Sequence, residues 1–198
     1  MPFTASEIRD SSLGWQVTIQ DSSTRKSVLR NQMREHLRHI DQASTELLAE
    51  LEVSLGALEE SQSIAIFSAL PGEPDITPLI ETLPQHRWLL PRVDGDLLHF
   101  HQVRDMASEL KPGAFGILEP DHSLPTTPKS GIDIFICPGL AFDSSGGRLG
   151  RGRGFYDRAL AEANEHALKI GVGFACQLVD DTFPETHDIL MHAVLCKG

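Results

Sequence analysis

The sequence predicts a three-layer α/β domain, in which a single, mostly parallel twisted sheet has helices on both faces. Segments with helical periodicity alternate with short apolar runs, which is typical of parallel strands connected by helices. Residues 132–138 (IDIFICP) are apolar without alternation, as expected of a central strand covered on both faces. A chain of 198 residues, 40% of them hydrophobic, is long enough for one domain with a full core.

The first half of the chain predicts helices, a buried strand and a hairpin. Leu29, Met33 and Leu37 recur at helical spacing, so we expect one or two helices within residues 24–58. The patterns that follow predict, in chain order, a buried strand at 63–70, a helix at 74–83 with Pro74 near its start, and strands at 87–93 and 97–103 joined as a hairpin by Asp94 and Gly95.

The second half continues the alternation. Residues 112–128 are rich in loop-forming residues and are expected on the surface. A glycine-rich segment follows the central strand, and helical periodicity returns at residues 155–166. Strand patterns at 168–175 and 192–196 complete the predicted sheet.

The composition excludes several classes of protein. A formal net charge of −11 and a pI near 5.2 argue against general nucleic-acid binding, which normally needs a broad basic surface. The chain has three cysteines, Cys137, Cys176 and Cys196, and no two of them form a C-x-x-C pair. Neither a disulfide framework nor a zinc site is therefore expected, and a reducing cytoplasm fits this cysteine usage. No apolar run approaches the ~20 residues of a membrane span, so no membrane partner is expected.

Residues 1–23 form a polar stretch without the apolar core of a signal peptide. We interpret them as an N-terminal extension of a domain at residues 24–198. Trp15, Val17 and Ile19 could instead add an edge strand, and the sequence leaves this open. The domain is expected to be a monomer.

Residues 146–160 (GGRLGRGRGFYDRAL) alternate glycine with arginine and follow the central strand after a turn. Glycines let backbone N–H groups approach a phosphate closely, and the N-terminus of the following helix adds favourable partial charge. Arginine forms charge-assisted, often bidentate bonds to phosphate oxygens. Asp157 follows where it could hold Mg²⁺, directly or through water. The alternative is a flexible, solvated loop with surface arginines.

A second basic cluster occurs near the start of the domain. Lys26 and Arg30 are four residues apart, hence on one side of a helix, and Arg34 continues that side. For a lone cluster, a solvated charged face with Glu35 as partner would be the better explanation. Two basic clusters in an acidic chain favour convergence on one polyphosphate.

Residues 138–160 (PGLAFDSSGGRLGRGRGFYDRAL) resemble the signature of the 5-formyltetrahydrofolate cyclo-ligase family, also called methenyltetrahydrofolate synthetases. Further segments resemble the family in the same order: KSVLR at 26–30, FSALPGEPDI at 67–76, LLPRV at 89–93, FGILEP at 115–120 and ACQLVDDTFPETHD at 175–188. The resemblance implies an ATP- and Mg²⁺-dependent ligase of one-carbon metabolism. Its substrates would be 5-formyltetrahydrofolate and ATP, and its products 5,10-methenyltetrahydrofolate, ADP and phosphate.

The resemblance also implies roles for individual residues. ATP phosphates would be held by Lys26, Arg30, Arg148, Gly150, Gly152 and Gly154. Catalysis would involve Arg151 and Arg153, which would face the transferring phosphoryl group, and Tyr156, which would border both ligands. Folate would contact Leu70, Glu73, Phe115 and Tyr156, and metal binding is implied for Asp157 and Asp188. Glu119 lies in a matching segment without an implied role.

Two departures from the family pattern stand out. A usual pair of tyrosines is Phe155 and Tyr156 here, which removes one hydroxyl group. The family pattern also has a metal-binding aspartate four residues after the position of Asp188, where this chain has His192. A nitrogen ligand suits Mg²⁺ poorly, so the second metal ligand is open.

Three other functions remain as alternatives. A relative that binds folate and nucleotide without catalysis would explain His192. A sugar-phosphate isomerase or CoA-transferase-like enzyme could share the sheet topology, although the two basic clusters argue against it. An RNA-binding role for the arginine-rich segment fits the acidic chain least well.

Overall fold

A computed structural model describes residues 21–40 and 44–198. The helices are α1 (Ser22–Leu37), α2 (Thr45–Gly56), α3 (Leu79–Thr82), α4 (Met106–Glu109) and α5 (Phe155–Ala161). The strands are β1 (Ser63–Ala65), β2 (Arg87–Asp94), β3 (Leu97–Gln102), β4 (Leu110–Pro112), β5 (Leu118–Pro120), β6 (Thr126–Thr127), β7 (Ile134–Cys137), β8 (Ala141–Asp143), β9 (Arg148–Leu149), β10 (Leu168–Phe174), β11 (Leu178–Val179) and β12 (Ala193–Lys197). The possible strand at Trp15, Val17 and Ile19 lies outside the described residues.

The main sheet has seven strands in the order β12-β10-β7-β1-β2-β3-β6. Strands β12, β10, β7, β1 and β2 pair in parallel, while β3 and β6 pair in antiparallel register at one edge. The apolar β7 lies inside the sheet, between β10 and β1, as its sequence predicts. Two smaller sheets, β11-β8-β9 and β4-β5, lie outside the main sheet.

Apolar side chains cover both faces of the main sheet. On one face, buried leucines of α2 and α3 pack in a cluster with Ile64 and Trp88. On the other face, Ala159 and Leu160 of α5 pack in a cluster with Ala65 and Phe135. The predicted three-layer arrangement with helices on both faces is therefore confirmed.

Helix α1 packs against the small sheet that contains β8 and β9. Asp21 caps its N-terminus by accepting a hydrogen bond from Ser23 N at 3.2 Å. Met33 and Leu37, four residues apart, are buried together with Ala141 and Leu149. Because β9 leads directly into residues 150–154 of the glycine- and arginine-rich segment, this packing holds α1 beside those residues.

Several predicted elements are shorter in the structure. Within residues 74–83 only α3 is helical, because Pro78 lacks an N–H donor and disfavours helical geometry at the residue before it. The predicted strand at 63–70 ends at Ala65, and the helix predicted at 155–166 ends at Ala161. Helix α1 begins at Ser22, two residues before the predicted domain boundary.

Candidate active site

A cavity of about 850 Å³ lies at the carboxyl ends of β1, β2 and β7. This edge of a doubly wound sheet is where ligands usually bind. The cavity is lined by every residue to which the sequence assigned a site role: Lys26, Arg30, Leu70, Glu73, Phe115, Arg148, Gly150, Arg151, Gly152, Arg153, Gly154, Tyr156, Asp157 and Asp188. The two basic clusters therefore meet in one cavity, as expected.

Residues 150–154 of the glycine- and arginine-rich segment form the loop between β9 and α5. Gly152 and Gly154 have φ values of +102° and +65°, a region that favours glycine over residues with a Cβ atom. Gly154 is also the N-cap residue of α5. The alternation of glycine thus has a local cause, since two loop positions need conformations that other residues adopt only with strain.

Helix α1 holds this loop through backbone carbonyl groups. Arg30 Nε donates a hydrogen bond to Gly150 O at 3.1 Å, and Arg34 Nη2 donates to Arg151 O at 2.8 Å. Glu35, the alternative partner suggested by the sequence, instead pairs with Arg38 at 2.7 Å. Arg30 and Arg34 therefore face the loop and the cavity, which argues against a merely solvated charged face.

Glu73 and Arg151 form an ion pair across the cavity. Both Nε and Nη2 of Arg151 lie 2.9 Å from Glu73 Oε1, while Glu73 Oε2 accepts a hydrogen bond from Leu70 N at 3.0 Å. The Glu73 side chain is only 5% exposed. Burial raises the pKa of Glu73 above its ordinary value, although Arg151 and Leu70 N partly oppose this shift.

Lys26 joins α1 to the segment that precedes β12. Its Nζ donates to Asp188 Oδ2 and to Glu185 Oε2, the latter at 3.1 Å, and its side chain is 7% exposed. Burial tends to raise the pKa of Asp188, but hydrogen bonds from Lys26 and Glu185 N together lower it below the ordinary value. Lys26 is thus fixed by two carboxylates at the cavity wall.

Within the described residues, Glu185, His187 and Asp188 are the group that could hold a metal ion, with ligand atoms within 4.8 Å of one another. Carboxylate oxygens are the donors that Mg²⁺ prefers, and those of Glu185 and Asp188 already compensate the positive charge of Lys26. The two carboxylates of this group fit a magnesium ion, whereas the nitrogen of His187 suits it poorly. The sequence predicted Asp188 here but missed Glu185.

Asp157 lies in a different environment from Asp188. Its Oδ1 accepts a hydrogen bond from Arg148 Nη2 at 2.9 Å, and the Arg148 side chain is 4% exposed. The Arg148 guanidinium carbon also lies 5.4 Å from the centre of the Tyr156 ring. The predicted metal ligand Asp157 therefore faces an arginine at the first turn of α5.

Tyr156 OH and Arg148 Nε are buried and have no hydrogen-bond partner among the described residues. Burial raises the pKa of Tyr156 well above its ordinary value, so the hydroxyl stays protonated. Unpaired buried donors are costly unless a ligand or water satisfies them. Both groups therefore keep free donor capacity beside the cavity.

Aromatic rings form another part of the cavity wall. Phe115 is 54% exposed and has a φ of 57°, a strained conformation for a bulky residue. Its ring lies 6.4 Å from that of Phe155, edge to face, and the guanidinium carbon of Arg153 lies 5.3 Å from Phe115 and 5.8 Å from Phe155. Arg153 is thus held against aromatic faces.

His192 does not line the cavity. The ring Nδ1 of His192 accepts a hydrogen bond from Lys169 N at 3.0 Å, and the backbone N–H of His192 donates to Lys169 O at 2.7 Å. The exposed ring therefore extends the pairing of β12 with β10. His192 does not replace a metal ligand in the described structure, and Glu185 supplies the second carboxylate beside Asp188.

The sequence missed part of the apolar wall. Pro91, Val93 and Leu98 of the β2–β3 hairpin line the cavity together with Glu119, which is 2% exposed. Apolar alternation in a hairpin predicts that one face of the hairpin is buried. It does not show whether that face is covered by the protein core or by a ligand. For Glu185, the only signal was its place three residues before Asp188.

Comparison with known proteins assigns the family. A family model described as the 5-formyltetrahydrofolate cyclo-ligase family matches residues 21–197. The chain belongs to this family. The protein is accordingly a ligase that acts on 5-formyltetrahydrofolate, and the family predicted from the sequence is confirmed.

Relatives and solved structures agree with this assignment. The 5-formyltetrahydrofolate cyclo-ligase of Mycolicibacterium smegmatis is 34% identical over 179 residues, covering 86% of this chain and 92% of the relative. The Haemophilus influenzae protein of the same name is 31% identical over 182 residues, covering 84% and 96%. The NMR structure of Aquifex aeolicus 5,10-methenyltetrahydrofolate synthetase superposes with a TM-score of 0.71 at 32% identity, over 87% of this chain and 89% of that chain.

A second solved structure supports the fold alone. The 5,10-methenyltetrahydrofolate synthetase of Mycoplasma pneumoniae gives a TM-score of 0.70 at 22% identity, over 85% of this chain and 96% of that chain. No helix within residues 21–40 and 44–198 is both long and apolar enough to cross a membrane.

Proposed function

We propose that this cyclo-ligase uses ATP to convert 5-formyltetrahydrofolate to 5,10-methenyltetrahydrofolate, with release of ADP and phosphate. The observation that carries the proposal is the meeting of two cationic groups around one cavity, in a chain whose net charge is −11. A cavity that collects arginines, a lysine and glycine backbone in an acidic protein suits a small polyanion. Its apolar wall suits the flat ring of a pteridine.

The reaction needs activation because a formamide oxygen is a poor leaving group. The formyl oxygen attacks the γ-phosphorus of ATP, the bond to the bridging oxygen breaks, and ADP leaves. N10 then attacks the activated formyl carbon and loses its proton, and the C–O bond breaks as phosphate departs. Positioning and charge neutralisation supply most of the catalysis in phosphoryl transfer.

Lys26, Arg30 and Arg148 hold the phosphates of ATP in this proposal, together with the backbone at Gly150, Gly152 and Gly154. Arg151 and Arg153 neutralise charge on the transferring phosphoryl group. Arg151 is suited to this role because one side chain reaches both the glycine-rich loop and Glu73. A group that contacts both substrates can align the formyl oxygen with the γ-phosphate.

Glu73 and Phe115 contact the folate in this proposal, with Leu70 and Tyr156 beside them. The Glu73 carboxylate is an acceptor for the N–H groups of a pteridine, and the exposed Phe115 ring offers a face for stacking. The protonated hydroxyl of Tyr156 donates a hydrogen bond to a ligand oxygen. These four residues would orient the folate rather than change its charge.

Asp188 would hold a magnesium ion together with Glu185, and Asp157 would contribute once Arg148 turns to the phosphates. When bound, the ion neutralises negative charge on the ATP phosphates. Lys26 already lies against the same carboxylates, so its ammonium group can move to a phosphate oxygen when another cation takes its place.

Turnover by the purified enzyme tests the proposal directly. With Mg-ATP and 5-formyltetrahydrofolate, we expect methenyl-type absorbance and one ADP for each methenyltetrahydrofolate formed. Neither product should form when ATP or 5-formyltetrahydrofolate is left out. Arg151→Ala should lower turnover by roughly 100-fold, as for loss of one preorganised donor at a reacting group. Glu73→Ala should mainly raise the KM for folate. Lys197→Ala, which removes a surface ion pair with Glu50, is the matched control.

Absence of both absorbance and ADP in the wild-type enzyme would overturn the proposal. Folate and nucleotide binding without turnover would favour the non-catalytic alternative, which depended on His192. Because His192 lies outside the cavity lining, no observation favours that alternative.

We also propose that the enzyme acts in the cytoplasm as a monomer and binds no nucleic acid. Cys137, Cys176 and Cys196 are all free thiols, which suits a reducing compartment. Light scattering after size-exclusion chromatography should give the mass of one chain, 21.8 kDa. A mass twice this value would contradict the assignment.

A further inference from the structure

Arg34 lies one turn beyond Arg30 on α1 and lines the cavity, yet its side chain is already bonded to protein groups. Nη2 donates to Arg151 O at 2.8 Å, and Nη1 donates to Asn31 Oδ1 at 3.4 Å. These two bonds fix both ends of the guanidinium fork. Arg34 is therefore not oriented as a free phosphate ligand but as a support for the backbone of the loop.

Two neighbouring peptide groups of the loop are held in the same way. Arg30 Nε binds the carbonyl of Gly150, and Arg34 Nη2 binds the carbonyl of Arg151. No peptide bond among the described residues is cis. In a trans peptide the N–H points opposite to the C=O, so both following amides, those of Arg151 and Gly152, point away from the bonded guanidinium groups.

These two amides have no hydrogen-bond acceptor among the described residues. Both residues line the cavity. Successive amides that are free and aligned form an anion-binding concavity, and bonding each carbonyl to a cation polarises the peptide and strengthens its N–H as a donor. The two α1 arginines thus prepare the backbone of the loop to donate hydrogen bonds.

The loop needs such a support because of its composition. Gly150, Gly152 and Gly154 give the backbone far more freedom than other residues would, and that freedom must be lost when the amides converge on a ligand. A bond made before the ligand arrives lowers the entropy lost on binding. The spacing of Arg30 and Arg34 at i and i+4 matches the two consecutive carbonyls.

We infer that Arg34 is a positioning residue, which orients the amides of Arg151 and Gly152 toward the nucleotide phosphates through its hydrogen bond to the carbonyl of Arg151. The inference rests on the proposed function for the identity of the ligand. It does not require Arg34 to touch the nucleotide. Arg34 therefore differs from Lys26, Arg30 and Arg148, to which direct phosphate contacts are assigned.

The test compares Arg34→Ala with Arg38→Ala. Arg38 follows one turn later, is exposed and pairs with Glu35, so its removal takes away the same charge without touching the loop. In nucleotide-free protein, the backbone ¹⁵N order parameters of residues 150–154 should fall to below about 0.6 in Arg34→Ala and stay at the wild-type values in Arg38→Ala. Arg34→Lys keeps one donor and should restore part of the order.

Steady-state kinetics provide the second measurement. Arg34→Ala should raise the KM for ATP roughly tenfold, with a smaller effect on kcat, while Arg38→Ala should leave both unchanged. If the KM rises but the loop order parameters in the free protein match those of Arg38→Ala, Arg34 contacts the phosphates itself and the inference is wrong. Unchanged order parameters and an unchanged KM would overturn it equally.

Failure of the proposed function would look different. The wild-type enzyme would then show no turnover, whereas the order-parameter measurement needs neither ATP nor folate. Because Arg34 is exposed, Arg34→Ala should fold, and a thermal melt matching that of Arg38→Ala verifies this.

Discussion

Glu73 and Asp188 line the same cavity, and their surroundings shift their pKa values in opposite directions. Burial dominates at Glu73 and raises its pKa, although Arg151 lies beside it. Asp188 also loses water contact, but Lys26 and a backbone amide outweigh that loss and lower its pKa. The two carboxylates therefore contribute to stability in different pH ranges.

A pair of isosteric variants should reveal this difference. Glu73 has a raised pKa, so its stabilising contribution is present below about pH 4.5 and is lost as the pH rises through the folded-state pKa. Asp188 has a lowered pKa, so its contribution is present above about pH 3.8 and is lost as the pH falls. Urea unfolding of Glu73→Gln and Asp188→Asn between pH 3 and 8 measures both effects.

Relative to wild type, Glu73→Gln should gain free energy of unfolding as the pH rises from 4 to 8. Asp188→Asn should be destabilised at pH 7 and approach wild type in acid. Curves that run parallel to wild type across the whole range would contradict the assignment of these shifts.

For single residues, the sequence predicted which side chains line the cavity but not which side chains they pair with. Lys26 and Arg151 were found because basic side chains and glycines stand out in an acidic chain. Their ion pairs with Asp188 and Glu73 join residues 162 and 78 positions apart, which no local pattern encodes. The same distance explains why Glu185 and the positioning of Arg34 were not predicted.

The turn between β8 and β9 sets where the glycine-rich loop begins. Asp143 accepts hydrogen bonds from the backbone of Ser145 and Gly147, while its other oxygen accepts from Thr182 Oγ1 at 2.6 Å. Gly146 has a φ of +86°, and a Cβ atom there would lie 2.3 Å from Met191 O. The turn is therefore closed tightly against the segment that leads into β12.

Two glycine-to-alanine variants separate backbone strain from steric clash. Gly95, in the β2–β3 turn, has a φ of +58° and open space where a Cβ would be, so Gly95→Ala should cost about 1 kcal/mol. Gly146→Ala adds a clash with backbone and should cost about 2–4 kcal/mol in the free energy of unfolding. Urea denaturation measures both, and equal losses would contradict the tight closure at Gly146.

At the scale of elements, strands were predicted better than helices. The apolar runs at β7 and β10 and the hairpin of β2 and β3 were all found, because burial on a sheet leaves a clear pattern. The helix predicted at 74–83 was wrong in extent, since Asp75 caps Thr77 N with its side chain and forms a turn before Pro78. The spacing of apolar residues did not reveal that this turn competes with the first part of the predicted helix.

On the scale of the molecule, α1 connects distant parts of the chain. Lys26 reaches Glu185 and Asp188, and the packing of Met33 and Leu37 brings the helix against the small sheet. Most of the Lys26 side chain is removed from water. Loss of its charge would leave two neighbouring carboxylates without compensation.

Lys26→Met should therefore destabilise the ligand-free enzyme by about 2–4 kcal/mol, which is less than for a fully buried pair because Glu185 is about one-third exposed. Adding Asp188→Asn should recover part of the loss, as expected of directly coupled residues. Lys197→Met, which breaks an exposed pair with Glu50, should cost much less than Lys26→Met, because solvent screens this pair. Equal losses for the two lysine variants in urea denaturation would refute this coupling.

The contacts of α1 also bear on how the enzyme is made. The helix leaves the ribosome early, but its bonding partners follow 117, 120 and 162 residues later. A nascent chain that stops short of Asp188 has the cationic helix without the carboxylates that fix Lys26. The cavity that these contacts shape can therefore form only when synthesis is nearly finished.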